Sequence, residues 1–427
     1  MRDLLITAIF IGLVPAIFYR AHIGALAWAW VSLMSPHRLA YGFAFGLPFA
    51  MVVAIATLLV LLGGSQRKSF PVNAITVIQI LFVCWMSTTV FFALNPDTEG
   101  VMYVWKQVLK TQLMLLVTLM LIRGREHIDQ LIWVIVVSLG FFGVKGGIFT
   151  LLNGGNFRVW GPADSFIEGN NELALALVAL IPLMYYLIKV SQNKWVKRGL
   201  WASAFFCIFS VLGSHSRGAL VAIVSMLFFF ILKSDRRLVS SIVVVCVGTI
   251  AALFMPEEWF SRMNTIEEYQ SDESAQSRLN TWATIWNMVM DRPLVGAGFR
   301  VGSDLLYQLY SPGPWTASFD AHSIYFQALG EHGFPGLFLF VAFGLVTWVK
   351  AGWLAKVCAS GPESEWIPVL MRMIQVSLLG FAAGGAFLGL MHYEFPYYLA
   401  ALVVMVGETV KENQKDVLAK PGAAATG

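Results

Sequence analysis

The stretch "FDAHSIYFQALGEHGFPG", residues 319–336, lies where a long polar segment returns to an apolar one. A titratable imidazole, His322, stands at this boundary. Apolar runs long enough to cross a bilayer as helices recur on both sides of the polar segment. The stretch therefore predicts a site at the surface of a membrane bundle, where a soluble loop meets the spans.

Composition supports a membrane protein. Of the 427 residues, 58% are hydrophobic and 13% are charged, against roughly 25% charged in soluble domains. The apolar runs are continuous rather than alternating, which predicts helices and excludes a spanning barrel. We expect an all-α polytopic protein with about 12 transmembrane helices. The predicted crossings are 40–64, 71–94, 107–122, 128–152, 172–190, 199–213, 219–232, 238–255, 334–352, 366–391 and 396–410.

Basic residues in alternate connections set the orientation, because loops rich in Lys and Arg stay in the cytoplasm. The first 35 residues leave two alternatives open: one bent crossing, with 12 spans and both ends inside, or two crossings, with 13 spans and the N-terminus outside. "MRD" at residues 1–3 favours the first. Five connections and the tail carry the basic residues and are predicted inside: 65–68, 123–126, 193–198, 233–237 and 350–365, with Lys411, Lys415 and Lys420 in the tail.

One large segment, 256–333, is predicted to face outward. It holds ten acidic residues and four arginines, with no lysine. Residues 274–293 read as an amphipathic helix, and 296–300 as a turn. The apolar face of that helix is predicted to hold Leu279, Trp282, Ile285, Trp286 and Val289. A further helix is expected from "DAHSIYFQALGEHG", with Asp320 as its cap and His322 in its first turn.

Several cations are predicted to meet at the outer side, where they suit a phosphate or diphosphate group. Lys145, Arg158, Arg217 and Arg300 are the candidates. His322 can accept a proton near neutral pH, with Asp320 or Glu331 as groups that could orient it. Neither a DxD motif, a His/Asp cluster nor a CxxC pair is present, so neither metal nor cofactor is expected.

Three segments resemble the bacterial O-antigen ligases and related polymerases. "AHSIYFQALGEHGFPG" is similar to their His-containing signature, "SHSRGALVAI" (214–223) to their arginine segment, and "SRLNTWATIWNMVMDRPLVGAGF" (277–299) to a block of their outer loop. The resemblance covers about residues 150–410. The N-terminal third looks more like the branch called exosortase-associated O-glycosylation ligases.

The resemblance implies a GT-C-like, metal-independent, inverting glycosyltransferase of the bacterial inner membrane, working as a monomer. It would move O-antigen from undecaprenyl diphosphate to lipid A-core oligosaccharide on the periplasmic side. By motif, His322 would be the base, and Arg217 and Arg278 would hold the diphosphate; Lys145, Arg158 and Arg300 are added from the charge pattern.

The corresponding parts are N-terminal transmembrane helices (1–255), a large periplasmic loop with catalytic residues (256–333), C-terminal transmembrane helices (334–410) and a cytoplasmic tail (411–427). A polymerase or a protein O-oligosaccharyltransferase of the same superfamily would use similar residues. A flippase or transporter is a different class, and it favours midplane sites and internal repeats, neither of which the sequence contains.

Overall fold

The computed structural model of the chain describes residues 1–64, 67–233, 238, 241–242, 245, 248–249, 253–264, 273–315, 317–360, 363 and 365–418. These residues form helices and no strands, which confirms the all-α prediction. The α-helices are α1 (Arg2–Tyr19), α2 (Ala21–Met34), α3 (Phe49–Leu62), α4 (Ala74–Thr89), α5 (Thr98–Leu121), α6 (Gly124–Leu152), α7 (Asn170–Val190), α8 (Lys194–Gly213), α9 (Arg217–Lys233), α10 (Glu257–Asn264), α11 (Glu273–Asp291), α12 (Asp304–Tyr310), α13 (Ile324–Val357), α14 (Ile367–Gly385) and α15 (Phe395–Leu418).

Eight of the described helices are long and apolar enough to cross a membrane: α1, α4 to α8, α13 and α14. Helices α2 and α3 are apolar but shorter. The chain is therefore a multi-pass membrane protein. Helix α7 forms the centre of the bundle, with 78% of its apolar window buried, whereas α1 at the periphery has 11% buried. Half of the predicted crossing at 238–255 lies outside the described residues.

The N-terminal segments form two antiparallel helices rather than one bent crossing. Arg20 separates them in an extended conformation. The Asp3 carboxylate at the start of α1 accepts hydrogen bonds from the amides of Gly42 (3.1 Å) and Ala44 (3.0 Å), which follow α2. Two separate helices thus replace the single bent segment that "MRD" favoured, and it stays a prediction whether each of them crosses the membrane.

Contacts between connections define two ends of the bundle. At what we call the site end, Arg38 pairs with Asp164, and the Val159 amide donates to the Gly213 carbonyl at 3.0 Å. At the opposite end, the Lys68 amide donates to Met120 O. Described parts of the basic connections also meet at that end: Arg123 lies 3.8 Å from Glu412, and Asn413 donates to Glu363. Helix α15 continues to Leu418 there, and 419–427 lie outside the described residues.

Small residues on α6 bring α8 close. A Cβ on Gly147 would lie 2.1 Å from the Phe206 carbonyl oxygen, and one on Gly143 would lie 2.3 Å from Cys207 Sγ. Such close helix contacts through small residues are typical of membrane bundles. The glycines around Lys145 therefore make room for α8, and Lys145 itself lies exposed on another side of α6.

A break at Gly333 divides α13 into two helical parts. Gly333 has φ 67° and ψ −170°, which leaves the preceding carbonyls without their usual partners within the helix. Three outside donors replace them: the Ala297 amide bonds to Gly330 O (2.8 Å), the Gly298 amide to Glu331 O (3.0 Å), and Trp85 Nε1 to His332 O (2.8 Å). This exchange joins α4 and the 294–302 segment to the first part of α13.

We predict that Gly333→Ala destabilises the protein. An alanine there would be strained at positive φ, and its Cβ would lie 2.2 Å from Leu294 O. Gly344→Ala in the same helix is the control, since nothing lies within 4 Å of its added Cβ and alanine favours a helix by about 1 kcal/mol. Thermal unfolding in nanodiscs should show a lower Tm for the first variant only, and an equal or higher Tm would contradict the role of the break.

Candidate active site

His322 lies immediately before α13 rather than in its first turn. Ser323 is the N-cap, and its hydroxyl accepts from the Phe326 amide at 3.5 Å. The prediction that Asp320 caps this helix was wrong, because the nearer hydroxyl takes that place and Asp320 accepts from the Gly302 amide instead. His322 has φ 44°, a left-handed conformation that histidine adopts more readily than bulkier residues.

The backbone on both sides of His322 is held in place. Trp282 of α11 donates through Nε1 to the Ala321 carbonyl at 2.8 Å, and its ring stacks on Phe326 with centroids 4.9 Å apart. Among the described residues, none forms a hydrogen bond with the His322 imidazole, which is half-buried. The ring is therefore positioned through its backbone, while Asp320 and Glu331, predicted as groups that could orient it, bond elsewhere.

Arg278 of α11 lies near enough to His322 for its charge to act on the imidazole. Burial first, and then the positive charge of Arg278, lower the pKa of His322 below its ordinary value of 6.5. Arg278 also interacts electrostatically with Glu172 at the start of α7. The structure thus places a guanidinium where it acts on an imidazole 44 positions away in the sequence, and both burial and this charge favour the neutral form of the imidazole.

Arg217 begins α9 at the same end of the bundle. Its neighbour Gly218 packs on Phe387, with 3.4 Å from an added Cβ to Phe387 Cβ. Two residues further on, a Cβ on Gly389 would lie 3.7 Å from the His322 amide nitrogen. The 387–389 turn therefore lies beside both Arg217 and His322, so the two residues open at one end of the bundle rather than at opposite ends.

Lys145 and Arg158 line a large cavity of about 1100 Å³ at the site end. Arg2 and Arg38 line it as well, and Arg38 pairs with Asp164. Aromatic residues make up much of the remaining wall: Tyr41, Phe45, Phe141, Phe142, Phe149 and Trp160. Four cations against an apolar wall can bind a lipid with an anionic head group. Sequence patterns gave no reason to add Arg2 and Arg38, which reach the cavity only through the hairpin of α1 and α2.

Arg300 has a different environment from the other predicted cations. Its guanidinium pairs with Asp97 before α5, and its carbonyl accepts from Asn95 at 2.8 Å. It lines a cavity of about 340 Å³ together with two carboxylates, Asp320 and Glu331. The Gly100 amide first, and then Arg300, lower the pKa of Asp97, which therefore stays charged and holds the guanidinium.

Glu331, His332 and His392 form a buried cluster that the sequence analysis missed. Glu331 Oε2 lies 2.7 Å from His392 Nε2 and 3.6 Å from His332 Nε2. Glu331 Oε1 accepts from the Arg300 amide at 3.2 Å, and His332 Nδ1 bonds to Thr89 at 2.7 Å. Glu331 is in the quoted stretch, but its partner lies 61 positions away, where no local pattern predicts it.

The same three residues could offer ligand atoms to a metal ion, since those atoms lie within 4.8 Å of one another. Ligands about 2.0–2.1 Å from a tetrahedral zinc stand about 3.3 Å apart. Glu331 and His392 are closer than that, at hydrogen-bond distance. The arrangement as it stands therefore fits a direct carboxylate–imidazole pair.

The amphipathic helix predicted at 274–293 is present as α11, but its face differs from the prediction. Ile285 and Val289 are fully buried as expected, together with Met288. Leu279 and Trp286 were predicted on the same face, yet both are 46% exposed. The buried face is rotated toward Met288 because α11 packs beside the first part of α13.

Fold and site together define a multi-pass membrane protein with cations and a histidine at one end of a helical bundle. Residues 202–341 match the family model described as O-Antigen ligase. Residues 1–192 match a model described as a family of unknown function (DUF5935). Curated proteins give no significant match to the chain.

Residues 202–341 are therefore similar to the O-antigen ligase family. This confirms the resemblance drawn from the sequence. The matched region contains Arg217, Arg278, Arg300 and His322.

We predict that glycine is tolerated at position 322 at least as well as alanine, the reverse of their usual order within a helix. At positive φ an L-residue is strained and glycine is not, so His322→Gly should unfold at an equal or higher temperature than His322→Ala. At exposed Leu345 within α13, glycine should be the worse substitution by about 1 kcal/mol. Thermal unfolding of the four variants tests this, and alanine proving the more stable at both positions would argue against the left-handed conformation.

Proposed function

We propose that this protein is an O-antigen ligase, which transfers O-antigen from undecaprenyl diphosphate to lipid A-core oligosaccharide and so completes lipopolysaccharide. The observation that carries the proposal is the closeness of Arg278 to the half-buried His322, inside the region that matches the O-antigen ligase family. A neutral imidazole beside a fixed cation suits a transfer in which a hydroxyl loses a proton and a diphosphate leaves.

The proposed reaction is a single inverting displacement. His322 takes the proton from an acceptor hydroxyl as the hydroxyl oxygen bonds to the anomeric carbon of the donor. The bond from that carbon to the diphosphate oxygen breaks, and both of its electrons leave with the diphosphate. Arg278 and Arg217 stabilise the developing negative charge, so the reaction is metal-independent and needs no cofactor.

Lys145 and Arg158 are proposed to extend the anion-binding surface. They line the large cavity with Arg2 and Arg38, and the loop carrying Arg158 is tied next to α9 because His215 donates through Nε2 to Gly155 O at 2.8 Å. Arg300 was predicted as another diphosphate ligand. Its pairing with Asp97 and its two carboxylate neighbours favour a different role.

The lipid part of the donor is proposed to enter from the side of the bundle. An apolar cavity of about 380 Å³ begins at Ile324 and Tyr325, two and three residues after His322. It continues along α13 to Thr347 and Trp348, toward the opposite end. Such a groove can hold apolar chain segments while the head group stays at the site end.

The proposed site faces the periplasm from the inner membrane, with the protein acting as a monomer. Arg67, Lys68, Arg123 and Arg125 lie at the end of the bundle opposite the site. Because basic residues accumulate on the cytoplasmic side, this distribution supports a periplasmic location for the site. Membrane lipids surround the chain, and nucleic acid is not among its partners.

A polymerase or a protein O-oligosaccharyltransferase of the same superfamily would place the same groups around the diphosphate. A flippase is disfavoured because transporters hold their substrates near the bilayer midplane, whereas these cations lie at one end. Expression in strains lacking either ligase or polymerase separates the alternatives: a ligase restores O-antigen on bare core, and a polymerase extends a single repeat into a ladder.

We predict that His322→Ala folds but fails to add O-antigen to lipid A-core in a strain without its own ligase, because the acceptor hydroxyl then has no base. General bases contribute about 10²–10⁴-fold in rate, so the ladder on a lipopolysaccharide gel should be absent. His127→Ala, in α6 near the opposite end, is the matched control and should restore the ladder. A normal ladder from the His322 variant would remove this residue from the mechanism.

Arg217→Lys should also give a weak ladder, since lysine keeps the charge but cannot make two parallel bonds to a phosphate group. Arg67→Lys is the control, because Arg67 is exposed and lies in the connection before α4. Equal ladders from both variants would mean that Arg217 does not bind phosphate in this way.

The pH dependence of transfer follows from the lowered pKa of His322. The base works when neutral, so the acidic limb of the kcat/KM profile should lie below pH 6.5. Arg278→Gln removes a positive charge that disfavours protonation, so the limb of its residual activity should move to higher pH. Lys106→Gln, an exposed cation on α5, should leave the limb in place, and the same limb in wild type and Arg278→Gln would contradict the pairing.

A further inference from the structure

A second pocket adjoins His322 and differs in chemistry from the cationic surface. This is the cavity of about 340 Å³ lined by Arg300, Asp320, Gln327, Glu331 and His392. Ala321 and Gly389, which border His322, are part of its wall. Its volume is at the lower end of the roughly 300–1,000 Å³ of small-molecule sites, and its wall reaches the backbone on both sides of His322.

The charges of this pocket disfavour a phosphate. Asp320 and Glu331 are both carboxylates, and the guanidinium of Arg300 already pairs with Asp97. Desolvation by neighbouring protein atoms comes first, and then the negative charge of Glu331, in raising the pKa of the Asp320 carboxyl. The residue nevertheless keeps contact with solvent. A diphosphate brought here would meet two acidic groups, so the pocket suits a neutral ligand.

The polar groups of the pocket are held in fixed positions. Glu331 is buried and accepts from His392 (2.7 Å) and the Arg300 amide (3.2 Å). Gln327 Oε1 accepts from the Met391 amide at 3.2 Å, which leaves its amide NH₂ directed to the Glu331 side at 3.5 Å. Asp320 is bonded by the Gly302 amide. Preorganised groups of this kind select a ligand by its hydrogen-bond pattern.

Hydroxyl groups match this set, because each both donates and accepts a hydrogen bond. A carboxylate oxygen accepts a hydrogen bond from the hydroxyl, and an amide N–H or the Ser318 hydroxyl donates one to the hydroxyl oxygen. Phe166, which is 38% exposed, offers an apolar ring at the edge of the pocket. Polyhydroxylated rings combine hydroxyl edges with an apolar C–H face, so a sugar ring fits both features.

We propose that this pocket binds the acceptor sugar, with Asp320 and Gln327 contacting its hydroxyl groups and the Glu331–His392 pair fixing Gln327 and the 298–302 segment. The inference rests on the proposed function and adds the substrate class of one site to it. In this arrangement the nucleophilic hydroxyl reaches His322 from the carboxylate-lined pocket, and the diphosphate leaves toward Arg278 and Arg217.

The test measures binding to the full-length protein in nanodiscs by ligand-observed NMR. The first probe is dephosphorylated core oligosaccharide, which lacks the lipid and the phosphates. Asp320→Asn and Gln327→Ala should each weaken its binding about tenfold, as expected for losing a bond to a charged group or a fixed amide. Asp304→Asn and Gln107→Ala are the matched controls, because neither residue lines any part of this pocket; Asp304 is exposed and Gln107 is partly exposed.

The second probe is undecaprenyl diphosphate without a sugar. Its binding should be unchanged in Asp320→Asn and Gln327→Ala and weakened in Arg278→Ala. Equal oligosaccharide binding by all variants would overturn the sugar pocket, as would weaker binding of the diphosphate probe in the two pocket variants. If Arg278→Ala binds the diphosphate normally, the proposed function fails instead, and the oligosaccharide arm still decides the pocket.

A third arm separates acceptor from donor. Undecaprenyl diphosphate carrying one O-antigen repeat is compared with the same lipid without sugar. Asp320→Asn and Gln327→Ala should not change the extra affinity that the repeat unit provides. Loss of that extra affinity, with core oligosaccharide binding intact, would assign the pocket to the donor glycan and overturn the acceptor assignment.

Discussion

The site depends on a helix that stops hydrogen bonding to itself at one residue. At Gly333 the backbone of α13 leaves the helical region, and the carbonyls of residues 330–332 accept from outside the helix. A buried carbonyl without a partner costs free energy comparable to a lost hydrogen bond. Donors from the 294–302 segment and from α4 must therefore stay next to α13, and with them stay Arg300, Asp97 and the wall around Glu331.

This break also explains why polar residues cluster beside an apolar helix. Phe299, carried by the inserted segment, stacks on His392 with ring centroids 5.2 Å apart and meets His332 edge-on at 5.0 Å. Two imidazoles and a carboxylate are thus enclosed by an aromatic ring and backbone, where each ionisable group must pair. The cluster is therefore part of the packing of the bundle, as well as a neighbour of any ligand that the adjoining pocket accepts.

Features with local causes could be predicted from the sequence. Periodicity and apolar length gave the bundle, and the shift from polar to apolar at 319–336 located His322 at its end. Features that depend on pairing between distant segments were out of reach: the Glu331–His392 bond, the entry of Arg2 and Arg38 into a cavity, and the pairing of Arg300 with Asp97. Charge sign alone grouped Arg300 with the phosphate-binding cations, because a sequence does not show which carboxylate a guanidinium meets. Asp320 failed as a cap for a simpler reason, since Ser323 stood closer to the helix start.

The two helices that wall the large cavity are packed to different degrees. One wall comes from α6, which is packed tightly against α8 through glycines, and another from α1, of which little is buried. Elements with few buried contacts open at the lowest free-energy cost. Of the eight candidate spans α1 is the least buried, so we expect the width of this cavity to vary through displacement of α1 while the core of the bundle keeps its shape.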